Sequence, residues 1–222
     1  NFKKYVFLTE AMNVVNERKR PYIVMEGMSD RFMATYKRPF EAKDIKVVMY
    51  AGGLHERYGL KKLTEAFMML PQENFRLKLF GSGPFVEKLK TKYTKKDSRI
   101  QYMGVAPNAE VVAAELDASL LVNPRPTHEE FTKYSFPSKN IEYMASGTPL
   151  LTTKLPGMPK EYYPYVFLIE NESVEGYAKA LERVLAQSDE ELYVFGEKAK
   201  DFVLEKKNSF EQAKRVIELI KL

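Results

Sequence analysis

The 222-residue chain contains no cysteine and no tryptophan, and its only histidines are His55 and His128. Without cysteine, disulfide bonds and cysteine-ligated zinc sites are excluded. Two histidines also argue against a metal site built from several imidazoles. The composition therefore gives no indication of a metal centre.

Long apolar runs are absent as well, so no segment is predicted to cross a bilayer. No signal peptide opens the chain, although a start at Asn1 suggests a fragment from which an upstream one has been lost. The GxGxxG fingerprint is missing, because Val86 stands where the run that begins Gly81-Ser82-Gly83 would need its third glycine. A nicotinamide cofactor is therefore not expected.

The overall composition, 45% hydrophobic and 29% charged, is typical of a soluble globular protein. The net charge of +5 suits phosphate-bearing ligands, anionic membrane surfaces or nucleic acid. Most lysines, however, recur at helical spacing with glutamates, which is typical of a solvated helix face. No nucleic-acid-binding motif is present, and a nucleic acid partner is not predicted.

Short apolar runs alternate with amphipathic stretches along the whole chain. Strands are predicted at 5–8, 22–25, 45–50, 75–80, 100–103, 119–122, 149–152 and 166–169, and helices at 10–17, 60–70, 84–93, 109–116, 138–145, 174–186, 189–205 and 210–220. Repeated strand–helix units indicate an α/β fold with a parallel sheet and helices on both faces. Ser188-x-x-Glu191 and Ser209-x-x-Gln212 read as capping boxes of a helical C-terminal tail.

The strongest functional signal lies in residues 135–151. Pro137 favours an extended residue before it, so a helix is predicted to begin near Ser138, a good N-cap residue. Free N–H groups at a helix N-terminus attract phosphate. Glu142, one turn further on, can reach a hydroxyl beside that phosphate, although a glutamate there also interacts favourably with the helix dipole, by about 0.3–1 kcal/mol. A phosphate seat with a carboxylate behind it suits a ribose diphosphate.

The run FPSKNIEYMASGTPLL resembles the donor-binding helix of the GT-B retaining glycosyltransferases, the group 1 family that includes glycogen synthase-like and sucrose synthase-like enzymes. Those enzymes often carry E-x7-E followed by a small-Gly-x-Pro turn. Glu142 matches the second glutamate and Ala145 to Pro149 match the turn, whereas Tyr134 stands in place of the first glutamate. The resemblance extends from about Val47 to about Leu185.

In the resembling family this span is the C-terminal, nucleotide-sugar-binding half of a Rossmann-like GT-B enzyme. Residues 1–30 are accordingly interpreted as a remnant of the N-terminal acceptor domain or an interdomain segment. Residues 31–222 are interpreted as the nucleotide-sugar-binding domain with its C-terminal helices. The resemblance also implies that the fragment is inactive without its N-terminal domain.

The glycine-rich loop after the strand at 45–50 is a second candidate binding element. Gly52 and Gly53 leave N–H groups free for phosphate, although a tight strand-to-helix turn explains them equally well. The family usually places arginine at the position of Gly53 and lysine at that of Tyr58, and both cations hold the donor diphosphate. This chain has neither, and Arg57 is the nearest substitute.

Other positions follow from the resemblance. The backbone of Val105 is expected to touch the base, unless this residue is an ordinary buried aliphatic. Lys133 and Lys139 offset diphosphate charge or face solvent, and Tyr134 hydrogen-bonds a hexose or only packs. The polar loop at 123–137, which contains Lys133 and Tyr134, also offers Glu129 or Glu130 in place of the missing family glutamate if the loop is shifted. For both histidines, His55 and His128, roles without ligand contact are preferred.

The resemblance implies transfer of a sugar from a nucleoside diphosphate, with retention and without a metal. The sequence agrees with the last point, because it contains no Asp-x-Asp motif to hold a metal. UDP is the first choice of donor nucleotide, with GDP and ADP as alternatives, and no further cofactor is expected. The acceptor is a glycan or lipid-linked glycan in polysaccharide biosynthesis, bound through the N-terminal domain. A cytoplasmic location is expected, with peripheral association at the inner membrane face as an option.

Two sets of residues carry this interpretation. The catalytic set comprises Arg57, Lys133, Tyr134 and Glu142, and the donor-binding set comprises Gly52, Gly53, Val105, Ser138, Lys139 and Glu142. Two alternatives remain, a non-catalytic nucleotide-sugar-binding subunit and a GT-B-like nucleotide-sugar epimerase. The missing cations motivate the first alternative, and the acidic and histidine side chains at 128–130 would have to serve the second.

Overall fold

The computed structural model describes residues 2–221. Its main sheet is parallel throughout and has six strands in the order β5-β4-β3-β6-β7-β8. These strands are β3 (Lys46–Ala51), β4 (Phe75–Phe80), β5 (Ile100–Gly104), β6 (Leu120–Asn123), β7 (Leu150–Thr153) and β8 (Phe167–Ile169). The chain moves outward from β3 to one edge and then returns to add β6 on the other side of β3. In such open sheets ligands bind beyond the carboxyl ends of the strands at this reversal, here between β3 and β6.

Helices cover both faces of the main sheet. They are α1 (Leu60–Met68), α2 (Phe85–Lys88), α3 (Thr94–Lys96), α4 (Asn108–Asp117), α5 (Ser138–Ala145), α6 (Val174–Leu185), α7 (Asp189–Lys206) and α8 (Ser209–Lys221). The 3-10 segments are Glu10–Val15, Arg31–Thr35, Glu56–Tyr58, Glu130–Lys133 and Lys160–Tyr165. Among residues 2–221, no helix combines the length and apolar character needed to cross a membrane.

Alternation along β3 explains why there are two cores. Successive side chains of a strand point to opposite faces, so Val48 and Tyr50 join the core beneath α1 and α6. Met49 and Ala51 join the core beneath α4, α5 and α7. Because β3 is buried on both faces, it reads as a continuous apolar run rather than an alternating one.

The predicted fold class is confirmed, and each predicted strand and helix has a counterpart in the structure, with ends that differ by a few residues. Two elements differ in type. The helix expected at 10–17 is the 3-10 segment Glu10–Val15. The helix expected at 84–93 contains a π-helical turn at Leu89–Tyr93. There the hydroxyls of Thr91 and Thr94 donate to carbonyls four residues back, an arrangement that bends helices.

Of the two predicted capping boxes, one forms. The Ser188 hydroxyl accepts from the Glu191 N–H, and the Glu191 carboxylate accepts in return from the Ser188 N–H. The second prediction is wrong, because Asn208 provides the side-chain oxygen that accepts from the first N–H groups of α8. Gln212 is drawn away from the helix start by a tertiary contact, since its amide donates to the Gly27 carbonyl at 2.8 Å.

Residues 2–30 contain a separate small parallel sheet of β1 (Tyr5–Phe7) and β2 (Tyr22–Val24). A buried ion pair joins this segment to the helical tail. Lys207, at the end of α7, lies 2.6 Å from the Glu26 carboxylate and 2.7 Å from that of Glu161. The Tyr162 hydroxyl donates to the same Glu26 oxygen at 2.6 Å. This charge network therefore contributes to the attachment of the N-terminal segment, together with hydrogen bonds such as that from the Arg215 guanidinium to the Val24 carbonyl.

Replacing Lys207 with alanine is expected to lower the free energy of unfolding by about 3–5 kcal/mol, because the Glu26 carboxylate would remain buried without its cation. Urea denaturation followed by circular dichroism measures the change. Lys206→Ala is the matched control, since Lys206 is the exposed neighbour and its loss is expected to cost within about 0.5 kcal/mol. Equal and small losses for both variants would show that the pair does not stabilise the fold.

Candidate functional site

The candidate site lies at the carboxyl edge of the sheet, where β3 and β6 diverge. Gly52 and Gly53 follow β3, and Pro124 and Arg125 follow β6. Gly59 brings the two loops together, because its φ is 84° and a Cβ there would lie 1.8 Å from the Pro124 carbonyl oxygen. Only glycine fits this position, and the contact places the loop after β6 next to the start of α1.

Helix α5 enters the site with its N-terminus, but not with the cap that the sequence predicts. Pro137 is the N-cap residue, its carbonyl accepts from the Asn140 N–H at 2.9 Å, and Ser138 is the first helical residue with no side-chain cap. The extended conformation ends at Pro137, one residue earlier than expected, so Ser138 is the first residue of the helix and not its cap. The first N–H groups of an α-helix have no partner within it and carry the positive end of the helix dipole. The N–H groups of Ser138 and Lys139 are therefore available to an anion.

Two buried contacts fix α5 relative to both strands. The Tyr143 hydroxyl accepts from the Ala51 N–H at 2.8 Å and donates to the Ala51 carbonyl at 3.2 Å. The Asn123 amide donates to the Asn140 side-chain oxygen at 2.6 Å. Since Ala51 ends β3 and Asn123 ends β6, the first two turns of α5 are held at the point where the strand order reverses.

Lys139 connects α5 with the glycine-rich loop. A Cβ built on Gly52 would lie 2.9 Å from Lys139 Cε, so the lysine side chain passes directly over that glycine. Its ammonium nitrogen lies 5.9 Å from the centroid of the Tyr50 ring and 5.3 Å from that of Tyr143. Burial lowers the pKa of Lys139, against the opposing effect of Glu142 and Glu115. The structure thus brings together Gly52, Lys139 and α5.

Glu115, on α4, is a member of the site that the sequence did not reveal. Glu115 is 1% exposed, and neither of its carboxyl oxygens has a hydrogen-bond partner among residues 2–221. Burial, with a further contribution from Glu142, raises the pKa of Glu115 to about 8, while Lys139 acts in the other direction. Glu115 is therefore mostly neutral at pH 7. Nothing in the local pattern of α4 distinguishes Glu115 from a solvated helix residue.

Two guanidinium groups lie against the same pair of aromatic rings. Arg57 is exposed, and its Cζ lies 5.2 Å from the Tyr58 ring centroid and 5.9 Å from that of Phe131. Arg125 is half-buried and lies 5.1 Å and 5.4 Å from the same centroids. Arg125 was not predicted, because its proximity to Tyr58 depends on the packing of Pro124 against Gly59.

The remaining predicted residues lie at the surface around this cleft. Tyr134 is 41% exposed, and neither its hydroxyl nor the Lys133 ammonium has a hydrogen bond or ion pair with any residue in the described range. Val105 follows β5 and is 76% exposed, so the alternative of an ordinary buried aliphatic is wrong. His128 is largely exposed, 3.9 Å from carboxylate oxygens of Glu129 and Glu172.

No three histidine, aspartate or glutamate side chains between residues 2 and 221 are placed to hold a metal ion. The positive groups at the cleft are instead the lysine and arginine side chains described above. Together with the N-terminus of α5, they give the carboxyl edge of the sheet the character of an anion-binding cleft.

A family model described as glycosyl transferases group 1 matches residues 34–221. The chain belongs to this family. The group 1 chain is 30% identical over 112 residues to the Escherichia coli (strain K12) protein WcaL, whose name describes a glycosyltransferase of colanic acid biosynthesis. That match covers 48% of the chain and 27% of WcaL, so the chain spans about a quarter of the curated relative.

Several solved structures share the fold of the group 1 chain. Sucrose-phosphate synthase from Thermosynechococcus elongatus has a TM-score of 0.76 at 19% identity, with 100% of this chain and 58% of that one covered. The Anabaena protein HepE, in complex with UDP and glucose, has a TM-score of 0.73 at 13% identity, with 99% and 63% covered. The chain therefore spans roughly six-tenths of each of these structures.

Glu115→Gln is expected to stabilise the chain at pH 8 and to have little effect at pH 4. The pKa of Glu115 is raised in the folded chain, so the contribution of this group to stability is fully present below about pH 4.5 and is lost as the pH rises towards 8, because the unfolded chain ionises first. The gain at pH 8 should be roughly 2–5 kcal/mol. Urea unfolding at both pH values measures it.

The matched control for that series is Glu110→Gln, which removes an exposed carboxylate from the same helix. It should change stability little at either pH. An equal effect of Glu115→Gln at pH 4 and pH 8 would show that the Glu115 carboxyl is not kept neutral by burial.

Proposed function

We propose that this group 1 chain is the donor-binding, C-terminal half of a retaining glycosyltransferase that transfers a sugar from a nucleoside diphosphate to an acceptor glycan or lipid. The observation that carries the proposal is the construction around α5. Its free N–H groups, the Lys139 ammonium and the Glu142 carboxylate lie within one and a half turns of the same helix, next to Gly52. This combination of anion donors and a nearby acid suits a ribose diphosphate.

In this proposal the diphosphate lies between the start of α5 and the glycine-rich loop. The N–H groups of Ser138 and Lys139 donate to phosphate oxygens, and the Lys139 ammonium lies over Gly52 to neutralise their charge. Gly53 is exposed, and its lack of a side chain leaves the backbone accessible. Glu142 accepts hydrogen bonds from the ribose hydroxyls, and the exposed backbone at Val105 contacts the base.

Transfer requires cleavage of the bond between the anomeric carbon and the diphosphate oxygen, with negative charge building on the leaving group. Preorganised N–H groups and cations aimed at that charge lower the barrier. In this chain the start of α5, Lys139, Arg57 and Lys133 serve this purpose in place of a metal ion. Tyr134 takes the position of a family glutamate, and its exposed phenol is proposed to hydrogen-bond the transferred sugar.

UDP is the proposed donor nucleotide. The complex of Anabaena HepE with UDP and glucose, and an Escherichia coli structure bound to UDP-2-fluoro glucose, support this choice by analogy of fold. The name of WcaL supports a role in polysaccharide biosynthesis. Acceptor binding is assigned to a domain of which residues 1–30 are a remnant, so the chain alone should bind donor but transfer poorly. A cytoplasmic location, with peripheral membrane association for lipid-linked acceptors, is part of the same proposal.

A non-catalytic donor-binding subunit is the second candidate. It is favoured by Gly53, Tyr58 and Tyr134, which stand where the resembling enzymes have arginine, lysine and glutamate. Release of free nucleoside diphosphate by a chain joined to its acceptor domain would decide for the transferase. The epimerase alternative would have to use the exposed His128 ring, which lies 3.9 Å from carboxylate oxygens of Glu129 and Glu172.

Calorimetric titration of the chain with UDP, GDP and ADP tests the donor site. Wild type is expected to bind one of them, and Glu142→Ala is expected to weaken that binding about tenfold to a hundredfold, because hydrogen bonds to a carboxylate contribute about 1.5–3 kcal/mol. Glu182→Ala, which removes an exposed carboxylate from α6 on the opposite face of the sheet, should bind like wild type. Binding of none of the three nucleotides by wild type would reject the donor site.

A further inference from the structure

Arg125 has a guanidinium group for which the fold supplies no acceptor. Its Nε is inaccessible to solvent without a hydrogen-bond partner, and no carboxylate or carbonyl within residues 2–221 accepts from its side chain. Other arginines of low exposure are satisfied. Arg99 pairs with Asp97 at 2.7 Å and also donates to the Leu70 carbonyl at 2.7 Å, and Arg38 donates to carbonyls at the end of α4. Because buried polar groups are normally paired, an unpaired guanidinium indicates a missing acceptor.

The position of Arg125 is set firmly by its neighbours. The Tyr177 hydroxyl donates to the Pro124 carbonyl at 2.8 Å, and the Thr153 hydroxyl donates to the carbonyl of Arg125 itself. Two residues further on, the Thr127 N–H donates to the Glu172 carboxylate at 3.1 Å. The backbone is therefore held from several sides, and little ordering of this loop is needed when a ligand binds.

The surroundings of Arg125 are positive. Arg57 lies against the same two rings, and Lys139 is close enough for Arg125 to contribute to lowering its pKa. Burial lowers the pKa of Arg125 itself, while Tyr50 and Tyr58 oppose that effect. Arg125 thus lies between two other cations and has no acid paired to it, which suits the binding of an anion of more than one charge.

Arg125 contacts an aromatic ring at a position where the resembling enzymes carry a positive charge. Tyr58 occupies the place at which the resembling enzymes have a diphosphate-binding lysine, and its ring lies 5.1 Å from the Arg125 guanidinium. Tyr58 thus does not supply a charge but holds one by a cation–π contact. Gly53, at the place of the family arginine, supplies no charge either, and the His55 and Tyr58 rings lie next to it.

We propose that Arg125 is a diphosphate-binding residue of this chain and supplies, from the loop after β6, the charge that related enzymes supply from the loop after β3. The inference rests on the proposed function, because it names a further ligand of the same donor. A planar guanidinium can donate to two phosphate oxygens at once, which suits a bridging position on a diphosphate better than a point charge does.

Calorimetric titration with UDP and with inorganic pyrophosphate tests this proposal on four single variants. Arg125→Gln is expected to weaken the binding of both probes about tenfold to a hundredfold. Arg125→Lys should lose less, since it keeps the charge but not the planar fork. Arg183→Gln, an exposed arginine on α6, is the control and should match wild type. Arg57→Gln shows how much of the cation effect belongs to the exposed neighbour, and thermal denaturation verifies that each variant is folded.

The outcomes separate the two proposals. UDP affinity within about twofold of wild type for a folded Arg125→Gln would overturn the role of Arg125 and leave the donor site in place. A large loss confined to Arg57→Gln would overturn it in the same way. Binding of pyrophosphate but of no nucleotide, with loss on Arg125→Gln, would support Arg125 as an anion ligand and reject the donor proposal. Failure of wild type to bind either probe would reject both.

Discussion

The position of α5 is the constraint on which the rest of the structure depends. Tyr143 holds the helix to the last residue of β3, and Asn140 is held by the last residue of β6. Both contacts are buried, so the start of α5 cannot shift without breaking hydrogen bonds that water does not replace. Because the strand order reverses between β3 and β6, this anchoring points the free N–H groups of the helix into the crevice where an open parallel sheet receives its ligand.

Charged side chains surround the crevice into which the start of α5 points. Lys139 lies over the glycine-rich loop, and Arg57 and Arg125 meet at the rings of Tyr58 and Phe131. On the inner side, burial keeps Glu115 mostly neutral at pH 7, so it does not cancel the charge of Lys139. The cleft thus combines cations near the surface with Glu142 deeper along the helix. A diphosphate with an adjoining pentose matches that order, and a simple anion would leave Glu142 without a partner.

Much of the fold was predictable because its strands and helices follow from local sequence patterns. Buried strands read as short apolar runs, and amphipathic helices follow their spacing. Errors arose where neighbouring residues compete for one role, as Pro137 does with Ser138 and Asn208 does with Ser209. Arg125 and Glu115 were not predictable for a different reason. The approach of Pro124 to Gly59 places Arg125, and the fold buries Glu115 near Glu142 and Lys139. Neither arrangement can be read from the sequence around the residue.

The central claim is tested most directly by a crystal structure of the chain with UDP. The account predicts phosphate oxygens within hydrogen-bond distance of the Ser138 and Lys139 N–H groups and of the Arg125 guanidinium, with the ribose hydroxyls on Glu142. A structure in which UDP occupies another surface, or in which its phosphates avoid the start of α5 while that cleft stays open, would contradict it.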